Sequence, residues 1–328
     1  MRVDSIAGNL ELLPQHLREA DVHQVVRRLV AQAVVDGKGR LANGLSWALD
    51  YSSSTDAVKR SLAAGMLAIS EAADARLALQ RLVADPDPIV AASAAEESAK
   101  LKDATVCPAL AALLNRIAPE DVEALQTTLA AGADLKCPNL QVERFLASPN
   151  FSARLAAATA AEALTGSRPP IPEVPEKPLA SASLELPARF LVALITRRGV
   201  IHLELYADEA PGTVRSFVAL ARRRFFDGLT FHRVVPNFVI QGGDPRGDGS
   251  GGPGYNIRCE INRHPYLPGA VGMALSGKDT GGSQFFITNS RQPHLDGRYT
   301  VFGRVLRGQE IVDSVLEGDE IVRVEEER

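Results

Sequence analysis

Residues 231–245 read FHRVVPNFVIQGGDP, and this stretch decides how the second half of the chain folds. Its apolar residues are mostly β-branched or aromatic, which is typical of a buried strand. However, Arg233 stands near the start of the stretch and Gln241 near its end. Because burying an unpaired guanidinium is costly, we interpret the two polar residues as the rim of an apolar ligand pocket.

The residues around this stretch, 188–328, have the composition of a β domain. An Arg-Arg-Gly turn within 190–206 separates two strand-like runs and predicts a hairpin. Residues 210–226 place their apolar side chains on one side and predict a helix. Further strands are predicted over 238–241, 272–275, 284–289 and 299–305. Short strands in such number, with one or two helices, predict one closed or sandwiched β domain.

The first half of the chain, residues 1–168, is rich in Ala and Leu and predicts helices nearly throughout. Similar helical segments start at Ser54, Pro86, Pro119 and Pro149, which are 32, 33 and 30 residues apart. Second helices are predicted around 77–83, 110–114 and 140–146, and a segment from Asp21 would cap the stack. A helix pair repeated at this interval is typical of an α-solenoid, and it resembles the HEAT family. The alternative is a non-repetitive helical bundle.

The composition changes abruptly between the two halves. Residues 166–187 contain six prolines and no helical or strand period, which is typical of an extended linker. We therefore predict three parts: a helical repeat domain over 1–168, a proline-rich linker over 169–187 and a β domain over 188–328.

The charges and cysteines exclude several classes of protein. The net charge is −4 and evenly spread, so neither half has the basic surface of a nucleic-acid binder or an anionic-membrane binder. No stretch approaches the ~18 uninterrupted apolar residues of a membrane span. Cys107, Cys137 and Cys259 are odd in number and far apart, which predicts reduced thiols and no metal site. We expect a cytoplasmic protein; an exported or periplasmic location stays open if a signal segment has been removed.

The motifs of the second half resemble those of the cyclophilin family. FHRVVPNFVIQGGDP, GSGGPGY, GMALSGKDTGGSQFFIT and HLDGRYTVFGRV follow one another in that family's order and at compatible spacing, and APGTVRSFVALARRRFFDG is similar to its first helix. The resemblance covers residues 188–328, with the compact loops of bacterial-type members. It implies a multidomain chain in which an all-α HEAT-like solenoid precedes a cyclophilin-like eight-stranded β-barrel capped by two helices. Such barrels isomerise X–Pro peptide bonds without a metal or cofactor.

The resemblance also assigns roles to individual residues. It implies that Arg233 is the catalytic arginine and that Gln241 is its hydrogen-bonding neighbour. His232 receives a supporting catalytic role, with a barrel-packing histidine as the alternative. The substrate-binding residues it implies are Phe238, Val239, Ala274, Leu275, Gln284, Phe286, His294, Leu295 and Tyr299.

These residue types suit a reaction that changes no covalent bond. An X–Pro bond interconverts over a barrier of ~20 kcal/mol because amide resonance must be broken. A site that fits the twisted bond better than either planar isomer lowers this barrier. A guanidinium can donate toward the prolyl nitrogen and carbonyl as conjugation is lost, while an apolar pocket grips the ring.

Several positions depart from the family's common pattern. His294 stands where cyclosporin-sensitive members have Trp, so we expect weak cyclosporin binding. Tyr299 replaces the commoner His, Val239 the commoner Met, and Leu275 a frequent Asn. Residues 247–252 match a GxGxxG pattern, but Pro-Gly-Tyr follows where a dinucleotide site needs a helix, so a surface loop is predicted instead.

Three functions remain open from the sequence. The first is a prolyl isomerase that acts on proline-containing peptides or proteins and whose helical repeats bind protein clients or an unidentified partner. The second is a non-catalytic interaction scaffold whose barrel only binds proline-containing segments. In the third, the proline-rich linker over 169–187 docks into the Arg233 pocket and inhibits it.

Overall fold

The computed structural model describes residues 44–118, 121–174 and 183–327. Its contacts divide the chain into two compact units, Met1–Pro175 and Glu176–Arg328. The division falls inside the predicted linker. The predicted cap from Asp21, the repeat start at Pro119 and the middle of the linker lie outside the described residues, so the linker-docking hypothesis stays a prediction.

The described part of the first unit is helical, as predicted. Asp56, Asp87 and Asn150 each precede a helix, and each side chain accepts hydrogen bonds from two backbone N–H groups of the first turn. The segment predicted as a second helix around 140–146 forms a 3-10 helix, Val142–Ala147. The α-helices are α1 (Gly44–Ser52), α2 (Ala57–Ala68), α3 (Ala73–Val83), α4 (Pro88–Lys100), α5 (Cys107–Arg116), α6 (Val122–Asp134) and α7 (Phe151–Thr165).

These helices pack in the order in which the predicted repeats follow one another. Helix α2 contacts α4, α4 contacts α6, and α6 contacts α7, while α3 and α5 pack beside them. Buried alanines such as Ala63, Ala94 and Ala157 belong to the shared core and allow the helix axes to approach closely. The pairwise order agrees with a repeat, and its assignment to the HEAT family stays a prediction. Across the described residues, no helix is both long and apolar enough to span a membrane.

The prediction of three reduced cysteines is wrong for two of them. Cys107 and Cys137 form a disulfide, and their Cα atoms are 5.3 Å apart. Cys107 begins α5 and Cys137 follows the end of α6, so the packing of these two helices brings together cysteines that are 30 residues apart in sequence. Cys259 is a free thiol. A cytoplasmic location therefore stays a prediction that these two cysteines do not support.

Breaking this disulfide is expected to destabilise the first unit. A closed loop of this length predicts a loss of about 3 to 4 kcal/mol, because the reduced chain gains freedom when unfolded. Trp47 is the only tryptophan in the sequence and is buried in this unit, so its fluorescence reports the unit's unfolding in urea. The variant Cys107→Ser should lower the midpoint, whereas Cys259→Ser should not. Three free thiols in the unreduced, denatured chain would contradict the disulfide.

The second unit is a curled antiparallel sheet in the order β3-β4-β6-β5-β7-β2-β1-β8. Its predicted eight strands are confirmed. Strand β2 shows why these segments form strands, since Ile201, Leu203 and Leu205 are buried and alternate with more exposed residues. The strands are β1 (Arg189–Thr196), β2 (Gly199–Tyr206), β3 (Arg233–Val235), β4 (Val239–Gly242), β5 (Ala270–Met273), β6 (Phe285–Thr288), β7 (Val301–Arg307) and β8 (Ile321–Glu326).

The sheet closes where its two outer strands begin. The backbone N–H of Phe231 donates to the carbonyl of Asp319 at 2.9 Å, and that of Gly318 donates to the carbonyl of Phe231 at 2.9 Å. The N–H of Ile321 adds a bond to Leu229 at 2.7 Å. These bonds join the segments before β3 and β8, so neither outer strand begins as an unpaired edge.

Helices α8 (Pro211–Arg222) and α9 (Gln309–Ser314) accompany the sheet. Phe217 of α8 is buried, and its ring centroid lies 4.9 Å from that of Phe226, 5.4 Å from Phe285 and 5.5 Å from Phe302. This aromatic cluster is the centre of the core. Leu184, from the end of the predicted linker, also packs against that core, so this unit includes residues that precede the first strand.

The opening stretch FHRVVPNFVIQGGDP contains two strands, where the sequence predicted one. Strands β3 and β4 are joined by a turn at Pro236 and Asn237, and Asn237 has φ of 59°. A proline cannot donate to the sheet, and asparagine tolerates the left-handed conformation, so the chain reverses at these residues. The resulting register pairs Arg233 with Gln241.

Candidate active site

The β3–β4 hairpin brings the two polar residues of the opening stretch into contact. Arg233 Nη1 donates a hydrogen bond to Gln241 Oε1 at 3.3 Å. The guanidinium carbon of Arg233 also lies 5.5 Å from the ring centroid of Phe238. Arg233 is half-buried, so its charge has an amide and an aromatic ring as neighbours and still reaches the surface. The guanidinium therefore lies at the rim of an apolar surface with donors available for a ligand.

The apolar surface is a small cluster separate from the main core. Phe286 stacks on Tyr266 at a centroid distance of 5.4 Å and meets Tyr299 edge to face at 6.1 Å. Of the predicted substrate-binding residues, this cluster contains Phe238, Val239, Ala274, Phe286, Leu295 and Tyr299. The structure thus collects, from four separate segments, most of the apolar residues that the sequence singled out.

Three predicted site residues lie somewhat apart from this cluster. The His294 ring stacks on Phe238 at a centroid distance of 5.5 Å, which places it at the edge of the pocket. Leu275 packs against the main core instead. His232 is 3% exposed, so it lies inside the barrel while Arg233 next to it reaches the rim. Burial suits the barrel-packing alternative for His232, and its catalytic role stays a prediction.

A chain of side-chain amides continues from Arg233 and Gln241 into the glycine-rich loop. Gln241 Nε2 donates to Gln284 Oε1 at 3.0 Å. Gln284 Nε2 donates in turn to the backbone carbonyls of Gly249 and Gly251, at 2.7 and 2.8 Å. The loop that the sequence predicted as a surface feature is therefore hydrogen-bonded to the same network as the arginine.

Sequence reasoning missed the residues that hold the Phe238 turn. The Asn237 carbonyl accepts a hydrogen bond from Ser290 Oγ at 2.6 Å and from Gln292 Nε2 at 2.8 Å. The N–H of Asn289 donates to the carbonyl of Phe238 at 3.0 Å. The Pro-Asn dipeptide at 236–237 favours a turn in which Asn237 has a positive φ, and it was the signal from which this turn could have been predicted.

Tyr266 was also missed, although it supports the floor of the pocket. It is fully buried beneath Phe286, and its hydroxyl donates to the carbonyl of Thr300 at 3.2 Å. Burial raises the pKa of the Tyr266 hydroxyl far above its ordinary value, so this group stays protonated. Its sequence context, Pro-Tyr-Leu-Pro, carries no periodic signal that would predict burial.

Taken together, these groups form a binding site suited to holding a small apolar ring against a fixed cation. No cluster of three metal-ligating side chains occurs within 44–118, 121–174 and 183–327. A guanidinium, two amides and an apolar floor can stabilise a developing lone pair or carbonyl charge. The fold and this site together define a cyclophilin-type barrel.

Comparisons with known proteins identify the same class. The family model for cyclophilin type peptidyl-prolyl cis-trans isomerases matches residues 191–327. Peptidyl-prolyl cis-trans isomerase B of Bacillus subtilis is 57% identical over 129 residues, covering 38% of this chain and 90% of the relative. A peptidyl-prolyl cis-trans isomerase of Synechococcus elongatus is 51% identical over 133 residues, covering 40% of this chain and 92% of the relative.

Among solved structures, a cyclophilin type peptidyl-prolyl cis-trans isomerase of Cryptosporidium parvum is 31% identical, with a TM-score of 0.41. The match covers 43% of this chain and 98% of that structure. The sequence relatives are similar over nearly their whole length. The chain therefore belongs to the cyclophilin family, and the resemblance predicted from its motifs is confirmed.

Proposed function

We propose that residues 188–328 catalyse the cis–trans isomerisation of X–Pro bonds in proline-containing peptides and protein segments. The observation that carries this proposal is the Arg233 guanidinium, held by Gln241 at the rim of the pocket around Phe286. The named activities of the two bacterial relatives support it. The matched region includes the arginine, the glutamine and the pocket residues.

In the mechanism we propose, the proline ring rests on the apolar floor while the preceding carbonyl rotates. Phe286, Leu295 and Phe238 supply that floor. As the bond twists, the prolyl nitrogen regains its lone pair and becomes a better acceptor for the Arg233 donors. Arg233 then binds the twisted bond more tightly than either planar isomer, which lowers the barrier. Gln241 holds the guanidinium in place without taking or giving a proton.

An isomerisation assay tests this function directly. The full chain, at a concentration far below that of a proline-containing peptide, should accelerate equilibration between the cis and trans isomers. The scaffold alternative expects the same peptide to bind without any acceleration. Binding without turnover would therefore contradict the proposal and support the scaffold.

We propose that the helical unit binds protein clients or a partner. Its support is the packing of α2, α4, α6 and α7 in succession, since repeat stacks commonly present extended protein-binding surfaces. A pull-down with the full chain and with a variant lacking residues 1–168 tests the idea. Partners that require those residues support it, and identical partners for both would contradict it.

His294 is expected to make cyclosporin binding weak. The ring stacks on Phe238 at the pocket edge, where cyclosporin-sensitive relatives carry a tryptophan. The variant His294→Trp restores an indole N–H donor and a larger apolar face. One added hydrogen bond predicts about tenfold tighter cyclosporin binding, measurable by calorimetry. The variant His202→Trp, in which the replaced imidazole lies on β2 and is paired with Glu327, is the control and should leave the affinity unchanged. Equal affinity for wild type and His294→Trp would contradict this expectation.

A further inference from the structure

A buried carboxylate outside the pocket organises the glycine-rich loop. Asp244 follows β4 and is only 1% exposed. Its Oδ1 accepts the backbone N–H of Arg246 at 2.8 Å, and its Oδ2 accepts that of Gly249 at 2.5 Å. A Cβ atom on Gly251 would lie 2.0 Å from Asp244 Oδ1, so the loop passes directly against the carboxylate. Asp244 therefore determines the path of the loop from its inner side.

The base of the loop is joined to the segment just before β6, which carries Gln284. Ser283 Oγ donates to the carbonyl of Gly243 at 2.6 Å. A Cβ on Gly243, whose φ is +85°, would lie 2.2 Å from the carbonyl oxygen of Ser283. This close backbone approach requires glycine. Asp244 and Gln284, which follow these two residues, are thereby held in fixed positions relative to each other.

The loop also determines which way the two glutamine amides point. A carboxamide has a donor side and an acceptor side, and backbone carbonyls only accept. The carbonyls of Gly249 and Gly251 therefore require Nε2 of Gln284, which leaves its Oε1 for Gln241. Gln241 must then point Nε2 toward Gln284 and Oε1 toward Arg233. Since a guanidinium only donates, this direction is the one that satisfies both ends of the chain.

We propose that Asp244 is a positioning residue for Arg233, acting through the glycine-rich loop and the amides of Gln284 and Gln241. If the loop moves, Gln284 loses its two carbonyl acceptors, and its side-chain amide can then flip so that Nε2 and Oε1 exchange places. The amide of Gln241 can then flip too. Its NH2 group would face the guanidinium of Arg233, which has no acceptor for it. This inference rests on the proposed isomerase function and names residues that govern it from outside the pocket.

Asp244→Asn in the full chain tests the proposal. The variant keeps the size of the side chain but places an amide NH2 against a backbone N–H of the loop. We expect kcat to fall about tenfold to a hundredfold, because small misplacement of a catalytic group has effects of that size. We expect KM to change less than about threefold, because the pocket floor is untouched. Gln284→Met, which breaks the amide chain further along and leaves Asp244 in place, should lower kcat to a similar extent and provides the test if Asp244→Asn does not fold.

A matched control separates positioning from general stability. Thr196 is buried and organises the β1–β2 turn, where its Oγ1 accepts the N–H groups of Arg198 and Gly199 at 3.1 and 3.2 Å. Thr196→Val should lower stability while leaving kcat within about twofold of wild type. A comparable loss of kcat in Thr196→Val would overturn the proposal, because it would show that any disturbed turn slows the enzyme.

A double-variant cycle provides the decisive comparison. If Asp244 acts through Arg233, Asp244→Asn should cost little further activity in the Arg233→Ala background. An equal fold-loss in both backgrounds would mean that the two residues act independently, and the proposal would be wrong.

A spectroscopic measurement keeps the inference separate from the proposed function. The side-chain NH2 resonances of Gln241 and Gln284 should shift in Asp244→Asn and stay unchanged in Thr196→Val. This result does not depend on turnover, so it tests the hydrogen-bond chain even if the wild type shows no isomerase activity. Unchanged resonances in Asp244→Asn would overturn the inference while leaving the isomerase proposal intact.

Discussion

Replacing Arg233 with alanine is expected to lower kcat/KM for X–Pro isomerisation by about a hundredfold to a thousandfold. Loss of one preorganised donor to a developing charge has effects of this size in other enzymes. Arg233 is half-buried, and within the described residues its side chain makes one hydrogen bond, to Gln241 at 3.3 Å, so the fold should survive. The assay follows a proline-containing peptide with wild type and variant, and circular dichroism confirms that both are folded.

Two further variants sharpen this test. Arg233→Lys keeps the positive charge but loses the planar set of donors, so it should recover only part of the activity. Arg304→Ala removes an arginine of β7 that pairs with Glu204 outside the pocket, and it should behave like wild type. Equal turnover by wild type and Arg233→Ala would falsify the catalytic assignment.

Replacing Phe217 with alanine should destabilise the barrel by about 3 to 5 kcal/mol. Its ring joins α8 to three aromatic rings of the core and is 2% exposed, so the truncation leaves a cavity that its neighbours cannot fill. Losses of this size are a large share of the stability of a typical domain. Urea unfolding followed through the tyrosines, four of which are in the barrel, provides the measurement.

The chain contains its own internal control for this experiment. Trp47 belongs to the helical unit, so its fluorescence transition should stay where it is in Phe217→Ala. Phe225→Ala removes a neighbouring but only partly buried ring and should cost clearly less. Similar losses from both variants, or an unshifted barrel transition in Phe217→Ala, would show that the aromatic cluster is not the centre of the core.

The site could be predicted from the sequence because its residues are chemically unusual in their context. Arg233 and Gln241 are polar groups in an apolar run, and the family motifs around Phe286 and Leu295 are continuous. The eight-stranded architecture followed from the same resemblance. The prediction of one strand failed at Pro236, where period and composition agree with a strand but the backbone cannot continue its hydrogen bonds.

What the sequence could not show depends on residues that meet only in three dimensions. The Cys107–Cys137 bond arises because α5 and α6 pack together, and a separation of 30 residues does not by itself suggest contact. Aspartate is mostly exposed in proteins and tyrosine is only sometimes fully buried, yet the barrel buries both Tyr266 and Asp244. Their roles depend on neighbours from other strands and loops.

The contact between Arg233 and Gln241 depends on the length of the turn that joins β3 to β4. Arg233 faces Gln241 because the residues between them form a reversal of fixed size, and side chains alternate between the two faces of a sheet. One residue added to or removed from that turn would shift the register and carry one of the two side chains to the opposite face. The number of residues between Arg233 and Gln241 therefore decides whether their side chains meet, so we expect an insertion or deletion in this turn to be tolerated less well than a substitution.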